Sequence, residues 1–278
     1  MKIRKKNYKH YLKEKRKQGV YILPNLFTTA SLFCGFYSIV ASIQGYFELA
    51  SVFILIAGVF DSLDGRVARM TGTVSHFGAE YDSLADMVAF GIAPGILAFL
   101  WGLEPFEKLG WLASFLFVCC GALRLARFNV QKELIDPNYF NGLPIPVAAA
   151  TISAFILFIS AVGEIAEFRY IVFIILIYTL SFLMVSRLSY PSFKNLDLRR
   201  RHKNFNLLVL VILVCVLIAY KPSISFFPLM VLYICSGPII TIYKINSAKK
   251  LNEEIEPAAD VSKTEADDEK EDINHNLI

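Results

Sequence analysis

Apolar residues fall along this chain in blocks, at about 23–43, 47–63, 78–100, 111–127, 146–162, 170–185, 205–220 and 224–243. Short polar or charged breaks separate them. A helix needs roughly 20 predominantly apolar residues to cross the hydrocarbon core of a bilayer, with about 17 as the short limit. The blocks sit at or near that length, so the pattern predicts eight membrane-spanning helices. No strand-like alternation competes with this reading. The expected fold is an all-α polytopic membrane helix bundle.

Composition agrees. Of 278 residues, 55% are hydrophobic, and the mean hydropathy of +0.51 is too high for a soluble domain. Cys34, Cys119, Cys120, Cys215 and Cys235 all lie inside apolar blocks, where cysteine acts as a small hydrophobe. Charge is placed unevenly. Residues 1–19 hold nine Lys or Arg against one Glu, with no cleavable signal pattern. This basic segment is either an interfacial helix on anionic headgroups or a flank that sets topology. Residues 246–278 form an acidic, aperiodic tail, read as disordered. Arg66 and Arg69, then Arg124, Arg127 and Lys132, then the run from Arg187 to Lys203 alternate with loops that hold little beyond Lys108, Arg169 and Lys221. The positive-inside rule therefore puts both termini and the first set of loops in the cytosol, for a protein of the cell (inner) membrane.

The polar constellations fall on that same side. Asp61 and Asp64 stand three apart near the end of the second block. Asp82 and Asp86 stand four apart at the start of the third. Each pair shares one helical face. If the two helices face each other, four carboxylates converge, a costly arrangement at a membrane edge without counter-charge. Divalent cations that favour oxygen ligands (Mg²⁺, Mn²⁺ or Ca²⁺) answer that need. Carboxylate-bound metals beside headgroups point to phosphoryl transfer on a lipid diphosphate. Gly65 and Ala68 leave room for close approach, and Arg69 offers a planar fork to phosphate. Asn25 and Thr28 lie three apart on the first helix. Ser75 precedes the third, as a substrate contact or as a helix N-cap. Pro94-Gly95 predicts a kink.

The run Asp61-x-x-Asp64-Gly65-x-x-Ala68-Arg69, eight residues, Gly78-x-x-x-Asp82-x-x-x-Asp86 resembles the signature of the CDP-alcohol phosphatidyltransferases, with every position filled. The segment from Asp82 to Pro94, Arg124-Leu-Ala-Arg-Phe-Asn129, Gly142-Leu-Pro-Ile-Pro146 and Tyr190-Pro-Ser-Phe-Lys194 resemble the phosphatidylserine synthase branch. The resemblance covers residues 20–200. It implies a six-helix core there and a homodimer; the last two apolar blocks are then two additional C-terminal transmembrane helices over 201–245. It further implies two divalent metals held by Asp61, Asp64, Asp82 and Asp86, with Asp86 also taking the proton of the incoming alcohol. Asn25, Thr28, Gly65, Ala68, Arg69 and Ser75 would contact CDP-diacylglycerol.

The expected partners are CDP-diacylglycerol, L-serine and membrane lipids, with no nucleic acid. For the carboxylate of serine the candidates are Arg124, Arg127 and Lys194, with Asn129 as a neutral donor. The competing reading makes these arginines caps of a helix end. Glycerol 3-phosphate or inositol phosphate is the alternative acceptor and calls for a denser cationic pocket. An ion transporter using the Asp cluster is the alternative of a different class, and it leaves Gly65, Ala68 and Arg69 without a role.

Overall fold

The computed structural model describes residues 24–72, 75–131, 139–163, 168–191 and 221–243. The basic segment 1–19, the expected span over 205–220, Lys194 and the tail 246–278 lie outside them. Helix α1 is Pro24–Ile43. Then come α2 (Phe47–Thr71), α3 (His76–Asp86), α4 (Ala93–Ala98), α5 (Glu107–Gln131), α6 (Ile145–Val162) and α7 (Phe168–Val185). The last described helix, α8, is Pro222–Tyr243. Strands β1 (Tyr139–Asn141) and β2 (Ser189–Pro191) form a short antiparallel ribbon with Phe140 opposite Tyr190. The fold is an all-α membrane bundle with this ribbon at one end.

The expected kink in the third span is a longer irregularity. The helix widens into π turns over Met87–Ile92 and Phe99–Leu103, on either side of α4. Pro94 has no N–H to donate, and its ring crowds the preceding turn; a wide turn just before it absorbs both. A 3₁₀ turn, Glu104–Phe106, then reverses the chain into α5. Helix α2 differs from expectation as well. It runs about two turns beyond Asp64 and ends at Gly72, whose left-handed φ of 63° lets its N–H bond back to the carbonyls of Ala68 and Arg69.

In the core, α5 packs on α7 and α2 on α6. Phe90, Phe117, Ile145, Ile152, Ile156, Phe173 and Ile177 are fully buried between them. Large apolar side chains such as Phe33, Phe36, Phe115, Ile175 and Phe182 stay exposed. That is the surface a bilayer requires, because lipid tails are as apolar as the side chains. Helix association in lipid depends instead on close packing and interhelical hydrogen bonds. Ser31 Oγ donates to the Ala57 carbonyl (3.1 Å) and Ser114 Oγ to the Gly95 carbonyl (2.6 Å). A close crossing joins α1 to the wide turn after α3: a Cβ on Gly35 would lie 2.6 Å from Ala89 Cα. Gly35→Ala should therefore cost about 1–3 kcal/mol, seen as a lower melting temperature in detergent. Gly58→Ala, whose added methyl would meet only Phe90 Cε1 at 3.8 Å, should melt like the parent.

Candidate active site

The turn around Gly72 folds α3 back beside α2, and Ser75 starts α3. Its hydroxyl accepts the Gly78 N–H at 3.0 Å with extended backbone at Ser75, so the N-cap reading of Ser75 holds. This hairpin sets Asp61 and Asp64 of α2 against Asp82 and Asp86 of α3. Carboxylate oxygens of Asp61, Asp64 and Asp82 lie within 4.8 Å of one another. Asp86 shares a side-chain hydrogen bond with Asp61 and lies within the field of the other two. The four acidic residues singled out in the sequence thus converge.

Helix α1 supports the cluster from the side. Thr28 Oγ1 is 2.9 Å from Asp64 Oδ2, to which it donates, and 3.2 Å from the Pro24 carbonyl. Both Thr28 and Asp64 are buried. Asn25 lies beside Gly78: a Cβ there would be 3.5 Å from Asn25 Oδ1. One contact escaped the sequence reading: Thr29 Oγ1 and the Tyr81 hydroxyl are 2.9 Å apart. It joins positions 52 apart in sequence, and no spacing rule reaches across two helices.

On the flank of α2, Gly65 has open space where a Cβ would be. Ala68 is half-buried and Arg69 exposed. The Arg69 Nε–H bonds the Gly65 carbonyl (3.0 Å), which holds the guanidinium along its own helix. A groove of about 650 Å³, lined by apolar residues of α2, α6 and α8 including Val59, Leu157 and Phe226, reaches Ser62 and Arg66. Its end is level with the carboxylates.

The second polar group comes from α5. Arg124 is 7% exposed, has no hydrogen-bond partner for its Nε–H, and lies in the field of Asp86. Arg127, three residues on, donates an Nη1–H to the Val185 carbonyl at 2.9 Å. It caps the end of α7, which is the structural role weighed against acceptor binding. Asn129 Nδ2 donates to Ser83 Oγ at 2.9 Å, tying the end of α5 to α3.

The cluster's donor set fits a divalent metal. It is all oxygen, from carboxylates on two facing helices, and the metal's positive charge would offset their mutual repulsion. Asp61, Asp64 and Asp82 would hold such an ion, with Asp86 against them.

A family model described as CDP-alcohol phosphatidyltransferase matches residues 21–187. Among curated proteins, the CDP-diacylglycerol–serine O-phosphatidyltransferase of Helicobacter pylori (strain 26695) is 38% identical over 220 residues, 79% of this chain and 91% of the relative. The enzyme of the same name from Bacillus subtilis is 33% identical over 174 residues, 62% of this chain and 91% of its own. The archaetidylserine synthase of Methanothermobacter thermautotrophicus is 40% identical over 182 residues, 65% of this chain and 74% of its own.

Metal binding is testable without turnover. A ligand that binds only the folded state stabilises it by about 2.7 kcal/mol at a hundredfold its Kd. Mn²⁺ should accordingly raise the melting temperature of the detergent-solubilised protein, and Asp64→Asn or Asp82→Asn should abolish that rise. Equal stabilisation of parent and variants would place the ion elsewhere.

Proposed function

The chain belongs to the CDP-alcohol phosphatidyltransferase family, and we propose that it transfers the phosphatidyl group of CDP-diacylglycerol to the hydroxyl of L-serine, forming phosphatidylserine and CMP. It is a multi-pass membrane protein. The observation that carries serine as acceptor is Arg124, the one buried cation among the described residues, with an unpartnered Nε–H and Asp86 in its field. A buried guanidinium with an unused donor is costly, and the carboxylate of an amino acid satisfies it bidentately. A phosphorylated acceptor such as glycerol 3-phosphate calls for more positive charge than one such group. Of the other candidates, Arg127 already gives one N–H to α7, and Lys194 lies outside the described residues. An ion-transport role is set aside by the family.

In this reading Asp61, Asp64, Asp82 and Asp86 hold two divalent cations, Mg²⁺ or Mn²⁺. When bound, these withdraw charge from the diphosphate and stabilise CMP as it leaves. Thr28 fixes the orientation of Asp64 through its hydroxyl. The open flank at Gly65 admits the nucleotide, with Ala68, Arg69 and Asn25 around it, while Ser75 acts by starting α3. The apolar groove beside Arg66 suits an acyl chain of the donor lipid. Asp86 accepts the proton of the serine hydroxyl. The serine oxygen then bonds the lipid-linked phosphorus, and the bond from that phosphorus to the oxygen of CMP breaks. The site lies at the cytosolic face of the inner membrane: Arg66, Arg69, Arg127 and Arg187 gather at that end of the spans, as the positive-inside rule requires. Pairing of two copies follows from the family resemblance.

The deciding measurement is CMP release from CDP-diacylglycerol with a panel of alcohols. Serine should support release, EDTA should stop it, and Mg²⁺ or Mn²⁺ should restore it. Release with glycerol 3-phosphate but not serine would overturn the acceptor. Asp86→Asn should abolish turnover while sparing CDP-diacylglycerol binding. Gly65→Ala meets nothing inside the protein, so it should keep the melting temperature and raise the KM for CDP-diacylglycerol; an unmoved KM would remove the nucleotide from that flank. Arg124→Ala should raise the serine KM by about tenfold or more, the worth of a charged hydrogen bond.

A further inference from the structure

Helix α8 lies beyond the matched family region, which ends at residue 187, and its sequence carries no motif. Most of its surface is open to lipid; Leu232, Ile239, Ile242 and Tyr243 are exposed. In its N-terminal half the Phe227 ring lies 5.2 Å from that of Phe155 and 5.5 Å from that of Phe158. Two polar contacts join its C-terminal half to β2. The Ser189 N–H of β2 donates to Thr241 Oγ1 (2.9 Å), and the Tyr190 hydroxyl to the Ile234 carbonyl (3.4 Å). Tyr190 is fully buried, and its ring stacks on Tyr233 with centroids 5.8 Å apart and planes 29° apart. Gly237 makes room for it: any Cβ there would run into the Tyr190 ring. Burial, with Tyr233 and Cys235 adding to it, pushes the Tyr190 hydroxyl up to about 12, so it remains a donor at any physiological pH.

This seat is next to the acceptor cation. Tyr233 and Arg124 lie in each other's field, and Asp86 is the other group that acts on Arg124. The carboxylate of α3 and the phenol of α8 thus both act on the guanidinium. The ribbon seated on α8 also follows directly from the end of α7, which Arg127 caps.

We infer that α8 closes the acceptor pocket, and that Tyr233 is a positioning residue that holds Arg124 for the carboxylate of the acceptor. This rests on serine, or another carboxylate-bearing alcohol, being the substrate. Tyr233 acts through Arg124 and takes no part in the chemical step. Thr241 and Gly237 act one step further out, by holding the ribbon and Tyr190 against Tyr233.

The test is steady-state CMP release by the full-length protein in mixed micelles, with serine and CDP-diacylglycerol varied separately. Tyr233→Phe keeps the ring on Tyr190 and removes the hydroxyl. It should raise the serine KM by about tenfold, with the CDP-diacylglycerol KM and the melting temperature unchanged. Thr241→Val should shift the serine KM in the same direction by a smaller factor. Because Tyr233 works through Arg124, the double variant Arg124→Ala/Tyr233→Phe should be no worse for serine than Arg124→Ala alone. An unmoved serine KM, an equal rise in both KM values, or multiplying effects in the double variant would overturn the assignment of Tyr233. Absence of serine-dependent release from the parent protein would overturn the proposed reaction and this inference with it.

Discussion

Four carboxylates brought together at a membrane edge repel one another, and the rest of the fold is arranged to keep them together. In water such a cluster would relax by moving apart. Here α2 and α3 are locked into a hairpin by the left-handed turn at Gly72 and the Ser75 cap. Helix α1 is pressed against the hairpin at both depths. Near the surface Thr28 bonds Asp64 and Thr29 meets Tyr81. Deeper, Gly35 fits against Ala89 with no room for a methyl. The repulsion is a stored electrostatic cost that cations binding between the helices relieve, so metal affinity and helix packing are two sides of one balance.

The same logic distinguishes the two kinds of buried charge. The carboxylates are negative together and call for cations. Arg124 is positive, buried, and set beyond Asp86 on α5. It is too far into the protein to serve as a surface topology signal, unlike the exposed Arg66 and Arg69. A single buried guanidinium beside a carboxylate cluster polarises the site: in the proposed reaction the carboxylate side would take cations and phosphates, and the arginine side a smaller anion. In that proposal a zwitterionic alcohol would enter one way, with its hydroxyl toward Asp86 and its carboxylate toward Arg124.

Much of this was legible in the sequence because it depends on spacing along one helix. Asp61 and Asp64, or Asp82 and Asp86, share faces by periodicity alone, and the glycine and serine between the pairs are ordinary turn chemistry. The spans themselves were readable from block length. What could not be read depends on packing between distant elements. The π turns around Pro94 arise because the helix continues through a proline that only neighbouring helices can support. Arg127 was readable as a cation of the acceptor or as a helix cap, and its bond to Val185, 58 positions away, establishes the cap. The ribbon of β1 and β2 is too short to leave a pattern. Tyr233 and Gly237 carry no signal at all until the Tyr190 ring is seen between them.

A helix can therefore matter to a site without a motif. The signature residues need fixed spacing because the metal cluster is built from two consecutive helices. Helix α8 is held to the ribbon by the Thr241 hydroxyl, which accepts the Ser189 N–H, by the Ile234 carbonyl, which accepts the Tyr190 hydroxyl, and by the bare backbone at Gly237. Such contacts constrain shape and leave most side chains of α8 free to suit the lipid. The chemistry of the signature residues can then stay on α2 and α3, while the wall that we infer for the acceptor is supplied by a helix whose sequence says little. Selectivity between alcohols is a difference of a few contacts around one cation. A helix that sets the position of that cation adjusts the choice of acceptor without disturbing the carboxylates that every acceptor needs.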